Sequence, residues 1–301
     1  MGISANFDSC AKNIHSQNGE DGILREIFAR LKIDRGIFCE FGAWDGKHLS
    51  NTYALFEQGW GGWYIEGDAR RYEDLVHNIV SPHVENIRAF VATEGARSLD
   101  NLLRQSNLFA SGACRALDLL SIDIDSDDLA IWKSIKAFRS KVVVIEYNPT
   151  IPIDVYFQNP PGRTFGNSAR SIFEFARSQS YALVAATGSN LIFVDQTLPD
   201  FPFVALDISD PALPLGQRYF FGMDGTLIMQ AVGKSAVMSA LEILRVPWNN
   251  ARFGQPVDKL FRHYDPGKRT RTIGRIWSYF KLFITKPGAM MLRVLDFSKG
   301  P

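Results

Sequence analysis

Residues 38–68 read FCEFGAWDGKHLSNTYALFEQGWGGWYIEGD, and within them two apolar runs each close on an acid, Glu40 and Glu66. A buried strand has little use for a charge at its tip. Two neighbouring parallel strands that end this way set both carboxylates at the crevice where doubly wound sheets take their ligands. Between them lies Gly42-Ala43-Trp44-Asp45-Gly46, after a strand pattern and ahead of the helical pattern of SNTYALFEQ. Glycines there permit a tight turn and close approach of a ligand to the backbone.

The same rhythm extends outward. Ile23, Leu24, Ile27, Phe28 and Leu31 share one helical face behind a polar SQNGEDG lead. Apolar runs then alternate with helical patterns, placing strands at about 36–42, 62–66, 87–92, 117–124 and 141–147. SIFEFARSQ reads as a helix, and YALVAATGSNLIFVD as two strands turning at Thr187-Gly188-Ser189-Asn190. The expectation is an α/β, Rossmann-like doubly wound sheet over residues 1–198, seven-stranded, mostly parallel, closing on a C-terminal β-hairpin. The proline-rich stretch after Asn148 predicts a long loop at 149–168, a candidate lid with Tyr156, Phe157 and Arg163. Residues 199–301 form a C-terminal extension with one helical pattern at 235–246 and a basic amphipathic tail at 268–293. That tail suits either a membrane interface, as a peripheral contact, or a helix packed on its own domain or a second subunit.

The 301 residues, 46% of them hydrophobic, suffice for a sizeable core. A formal charge of +1, from 33 basic and 32 acidic side chains, gives no whole-molecule field for nucleic acid. Cys10, Cys39 and Cys114 are scattered, without CxxC spacing, which points to a reducing compartment and away from disulfides or a thiolate zinc site. The N-terminal residues show no signal-peptide pattern, Asn6 stands where myristoylation wants Ser or Thr, and no apolar run spans a bilayer. A cytoplasmic protein is expected.

The glycine loop lacks the middle glycine of GxGxxG, and its flanking acids Glu40 and Asp45 would repel a pyrophosphate. They would suit a cationic ligand, such as one carrying a sulfonium and an ammonium group. Glu66 can accept hydrogen bonds from both hydroxyls of a ribose. The plainer alternative makes Glu40 and Glu66 strand-end acids facing water. Trp44, Trp60 and Trp63 are open to a cation–π role and to simple packing. Asp123 and Asp125, both within the fourth strand as read, point to one face and couple in their titration.

EFGAWDG followed by LSNTYALFEQGWGGWYIEGD resembles the cofactor site of class I S-adenosylmethionine-dependent methyltransferases, and more narrowly the FkbM-like branch. SQNGEDGIL, LLSIDIDSDDLAIWKSI, VVVIEYNP and SYALVAATGSNLIFV match the order of that branch across about residues 15–195. The resemblance implies a fold of this kind and S-adenosylmethionine as cofactor. It implies that Glu40, Gly42, Ala43, Asp45 and Gly46 surround the methionine part, Glu66 and Gly67 the ribose, and Thr93 and Glu94 the adenine. Asp123 stands in the motif at the end of the fourth strand, and Gln17 and Asp21 lie in a segment that folds over the cofactor or, more plainly, caps the first helix. Where the family has Asp-x-Glu-Gly, this chain has Asp123-Ile124-Asp125-Ser126, one methylene shorter at the second acid.

Methyl transfer to a hydroxyl needs an oriented acceptor and a base, for which Asp125, Glu146 and His48 are candidates, with Asp125 favoured. His48 otherwise caps a helix start. Asp125, Glu146 and Asn148 would instead make an oxygen site for Mg²⁺. The function expected is O-methylation of a saccharide or other small molecule. Two other classes stay open: a non-catalytic partner in a glycan-assembly complex, and an oxidoreductase binding NAD, against which the absent GxGxxG counts.

Overall fold

The computed structural model describes Phe7, residues 9–112, Cys114, 116–149, 151–210 and Leu213, and beyond them the backbone of three strands. In the main sheet β1 (Ile37–Phe41), β2 (Gly61–Glu66), β3 (Val84–Arg88), β4 (Leu117–Ile122), β5 (Ser140–Glu146), β6 (Tyr181–Ala186) and β7 (Asn190–Asp195) take the order β3-β2-β1-β4-β5-β7-β6. The first five pair in parallel, and β7 runs antiparallel to β5 and β6. This is the seven-stranded, mostly parallel sheet with a closing hairpin that the sequence predicts. Its order reverses between β1 and β4, the switch point at which such sheets open a crevice.

The helices are α1 (Glu20–Arg30), α2 (Tyr53–Glu57), α3 (Ala69–Asn78), α4 (Leu99–Gln105), α5 (Asn107–Ala110), α6 (Asp128–Ser134) and α7 (Ala169–Ser178). Strand residues alternate between the faces, so each apolar run feeds two cores. Phe38, Tyr64, Leu119, Val142, Val144 and Ile192 meet Leu24 and Ile27 of α1, Leu55 of α2 and Leu75 of α3. Cys39, Phe41, Trp63, Ile122, Val143 and Phe193 meet Leu103 of α4, Trp132 of α6 and Phe173 of α7.

Two strands differ from their predicted spans at the ends that matter. β3 occupies Val84–Arg88 rather than 87–92, because it is an edge strand bonded only to β2 and tolerates Glu85, Asn86 and Arg88. β4 stops at Ile122 rather than 124, so Asp123 and Asp125 lie in the following turn and do not share a strand face. Residues 151–168 contain neither strand nor helix. Beyond β7 the chain keeps packing on this domain past residue 198: Leu206 N–H donates to Leu183 O (2.8 Å) and Ile208 is fully buried.

A second, antiparallel sheet of β8 (Gln217–Phe221), β9 (Thr226–Ala231) and β10 (Leu244–Pro247) takes the order β10-β9-β8. The helical pattern at 235–246 lies mostly outside the described residues. Its end, Leu244 to Val246, belongs to β10, where pairing with β9 overrides local periodicity. The basic tail at 268–293 lies outside the described residues. All three cysteines are free, and burial pushes the Cys114 thiol up to about 11. Among the described residues no helix is long and apolar enough to cross a membrane.

Trp132 joins three elements, with ring centroids 5.2 Å from Phe175, 5.6 Å from Tyr181 and 5.7 Å from Phe193. Trp132→Ala is expected to remove about 3–5 kcal/mol of stability, read from the midpoint of urea unfolding.

Candidate active site

After β1 the chain arches over the carboxyl edge of the sheet and returns to it. Gly42 sits at φ 79°, and a Cβ there would collide with the carbonyl oxygen of Asp123, so only glycine lets β1 and the turn after β4 close on each other. Gly42 N–H and Ala43 N–H both donate to Ile65 O at 3.1 and 3.2 Å. Trp44 and Leu49 are left-handed at φ 51° and 57°, a conformation costing roughly 1–2 kcal/mol each without a compensating contact. Within the arch Asp45 Oδ1 accepts Lys47 N–H (2.9 Å) and His48 N–H (2.6 Å).

Two buried carboxylates compensate. Glu66 accepts Trp44 N–H at Oε2 (2.8 Å) and Asp68 N–H at Oε1 (2.7 Å), which leaves a lone pair on each oxygen. Glu40 receives the far end of the arch. Its Oε2 accepts from Ser50 Oγ and Thr52 Oγ1, both at 2.6 Å, and its Oε1 from Asn51 N–H at 3.0 Å. The Ser121 hydroxyl is a further donor to it, and Asn51 Nδ2 donates in turn to Ser121 Oγ (3.2 Å). Burial raises the Glu40 pKa, and these four donors pull it back.

The other bank of the crevice is the turn after β4. Asp128, buried at the start of α6, accepts Ile124 N–H (2.8 Å) and Ser126 N–H (2.9 Å), and so bends the chain until Asp125 stands at φ 59°, exposed. Burial pushes Asp128 up to about 6, its backbone donors opposing the shift. Carboxylate oxygens of Asp123, Asp125 and Glu146 come within 4.8 Å of one another. Burial first, then the neighbouring acids, raises both Asp123 and Glu146 above the usual carboxylate range, Glu146 further. The two therefore titrate as one unit whose ionisation burial and the neighbouring acids oppose. Among the described residues nothing donates a hydrogen bond to Asp125 or pairs with its charge.

Outside this bank, residues 151–168 form a braced wall. Asn159 Nδ2 donates to Asp127 Oδ1 (2.7 Å) and Arg163 O (2.8 Å), Asn167 Nδ2 to Ser126 O (3.1 Å), and Asn148 Nδ2 to Phe165 O (2.6 Å). The N-terminal strap crosses the same edge. Asp21 Oδ2 collects the N–H groups of Ile14, His15 and Ser16, while Glu20 accepts from Thr187 Oγ1 and Asn190 Nδ2 of the hairpin.

No family model matches the chain, and no curated protein matches it by sequence. Solved structures similar to it include a protein designated an O-methyltransferase from Klebsiella pneumoniae, at 15% identity and TM-score 0.41, covering 64% of this chain and 86% of that one. A TehB-like S-adenosylmethionine-dependent methyltransferase from Corynebacterium glutamicum matches at 11% identity and TM-score 0.37, covering 63% and 92%.

The fold brings Gly42, Ala43, Glu66 and Gly67 to one bank and Asp123, Asp125 and Glu146 to the other. Glu40, expected at the methionine part of a cofactor, is instead enclosed by its own chain, and it does not face water either. Asp45 turns Oδ1 to the arch and Asp21 turns Oδ2 to the strap, where Asp21 Oδ1 is buried without a hydrogen-bond partner and Gln17 is exposed. His48 caps no helix, since α2 begins only at Tyr53; its ring stands edge-on to Trp44 at 5.4 Å. Thr93 and Glu94 are exposed on the loop past β3. Trp60 and Trp63 are core residues, whereas Trp44 is 42% exposed beneath the Arg71 guanidinium (4.2 Å). Sequence reading missed Phe90. This 65% exposed ring lies against Gly67, where any Cβ would strike it, and it was read as strand interior.

A carboxyl with a folded pKa above its unfolded one binds more protons in the folded state, so stability falls as pH rises through that interval. For Glu146 the fall starts near its ordinary 4.5 and continues past neutrality. Glu146→Gln cannot titrate, so its stability relative to wild type should grow between about pH 5 and about pH 9 in urea unfolding. A constant difference would mean that Glu146 is ionised throughout.

Proposed function

We propose that this chain is an S-adenosylmethionine-dependent methyltransferase of the FkbM-like kind, acting on a hydroxyl of a saccharide or other small molecule. One observation carries the reading: the switch-point edge has a carboxylate with exposed aromatics nearby on one bank and a cluster of three acids, with no cation among its described neighbours, on the other. Glu66, with a free lone pair on each oxygen, lies between Trp44 and Phe90 and suits a ribose, with the base against the Phe90 ring. Asp123 and Asp125 suit the cationic end. An adenosyl sulfonium fits both ends, whereas a dinucleotide would bring its pyrophosphate against acids. When bound, S-adenosylmethionine supplies an electrophilic methyl group.

The residues of the chain would then divide the work. The arch orients the ligand, and the wall with Tyr156 and Phe157 bounds the acceptor space and limits water. Asp125, exposed and without a partner among the described residues, accepts the acceptor's hydroxyl proton. Glu146, more enclosed than Asp125 and held toward its neutral form by burial, is the less available base. A second reading, favoured by the three clustered carboxylates, places Mg²⁺ at Asp123, Asp125 and Glu146, an all-oxygen set of the right hardness.

Titration calorimetry with S-adenosylmethionine, with and without Mg²⁺, tests both readings. Saturable heat is expected; none in either buffer would refute the assignment, and heat that requires Mg²⁺ would establish the second reading. Glu66→Gln should weaken binding about tenfold, or about 1.4 kcal/mol, by loss of a charged acceptor. Asp125→Asn, compared at saturating S-adenosylmethionine so that any loss of affinity for the cationic end is set aside, should lower turnover by about 10²-fold or more.

A further inference from the structure

The site places an acid, Glu40, directly below the glycine arch, yet closes every route by which a ligand could use it. A carboxylate offers about four lone-pair sites. Ser50 Oγ, Thr52 Oγ1, Asn51 N–H and the Ser121 hydroxyl take four. Glu40 and Glu66 are equally buried, so exposure does not separate them; what does is that the donors of Glu40, Ser50, Asn51, Thr52 and Ser121, are all buried around it. Thr52 Oγ1 also reaches Tyr64 Oη at 3.0 Å, and Ser50 Oγ accepts Tyr53 N–H at 3.0 Å, so the ring of contacts continues into α2. Three of the four donors, Ser50, Asn51 and Thr52, lie at the far end of the arch, and the fourth, Ser121, on β4.

The arch itself needs this. It leaves β1 at Gly42 and passes through two left-handed residues, Trp44 and Leu49, before the Ser50-Asn51-Thr52 return. Glu66 fastens its middle through Trp44 N–H, and Glu40 fastens its end.

We propose that Glu40 is a positioning residue, a buried clasp that holds the end of the glycine arch and makes no contact with the bound ligand. The inference rests on the adenosyl reading above. It leaves the ammonium end of the ligand to the acids after β4 and β5.

The test compares two ligands, S-adenosylhomocysteine and 5′-methylthioadenosine, the second lacking the amino-acid part. Calorimetry is run on wild type, Glu40→Gln and Glu40→Ala, with folding checked by circular dichroism. Gln keeps an acceptor for Asn51 N–H, and the hydroxyls can turn to accept from its amide, so Glu40→Gln should bind both ligands within about threefold of wild type. Glu40→Ala abandons four buried donors and frees the arch, and should weaken both ligands by the same factor, about tenfold or more. Two outcomes would overturn the proposal. A selective loss of S-adenosylhomocysteine in Glu40→Gln would make Glu40 a ligand of the ammonium group. Unchanged affinities in folded Glu40→Ala would reduce it to general stability. If Glu40→Ala does not fold, the ligand ratio in Glu40→Gln decides. Failure of the adenosyl reading is distinct, because neither ligand would then bind wild type.

Discussion

The architecture of the crevice depends on buried carboxylates accepting backbone N–H groups. Where parallel strands end, the loops that leave them carry amide groups with no ladder partner, and a buried, unpaired N–H costs as much as a lost hydrogen bond. At several points along this edge the chain answers with acids. Asp21 gathers the strap, Glu66 and Glu40 the arch, and Asp128 the turn after β4. An ionised acceptor makes these bonds shorter and stronger than a carbonyl would. The strained backbone at Trp44, Leu49 and Asp125 persists because it is held from outside by such groups.

The same solution concentrates negative charge. The ion pairs anchored in the sheet, Lys141 with Asp118 and Arg139 with Asp195, sit at its amino edge, away from the crevice. At the carboxyl edge the acids are relieved by backbone dipoles and hydroxyls. Packing thus sets the electrostatics: by holding the arch and the turn, the fold prepares a place where a cation is better solvated than an anion.

The sheet was legible because strands buried on both faces read as unbroken apolar runs, and YALVAATGSNLIFVD announced its own turn. Strand ends were less so, since they are decided by contacts distant in sequence. LLSIDIDSD continues its alternation past Ile122, and only the capture of Ile124 and Ser126 N–H by Asp128 ends the strand and turns Asp125 outward. The positions of Glu40 and Glu66 could be read from the chain, but not how their oxygens are used. Ser50-Asn51-Thr52 looks like an ordinary helix start, and only the fold brings it back over Glu40. Phe90 lay in an apolar run that promised a strand, and the edge position of β3 left it on the surface.

The braced wall differs from the rest of the crevice in one respect. Several of its cross-links run through the side-chain amides of Asn148, Asn159 and Asn167; those of Asn148 and Asn167 end on backbone carbonyls, that of Asn159 on the Asp127 carboxylate, and Lys133 Nζ adds a bond to Gln158 Oε1 (2.7 Å). Added electrolyte screens the field of the acids and dulls the pull on any cation, but it gives little leverage against those amide contacts. Salt would thus weaken the attraction more than it weakens the Asn148 and Asn167 contacts, which join neutral groups, so the field at this edge and the shape of its wall rest on different interactions.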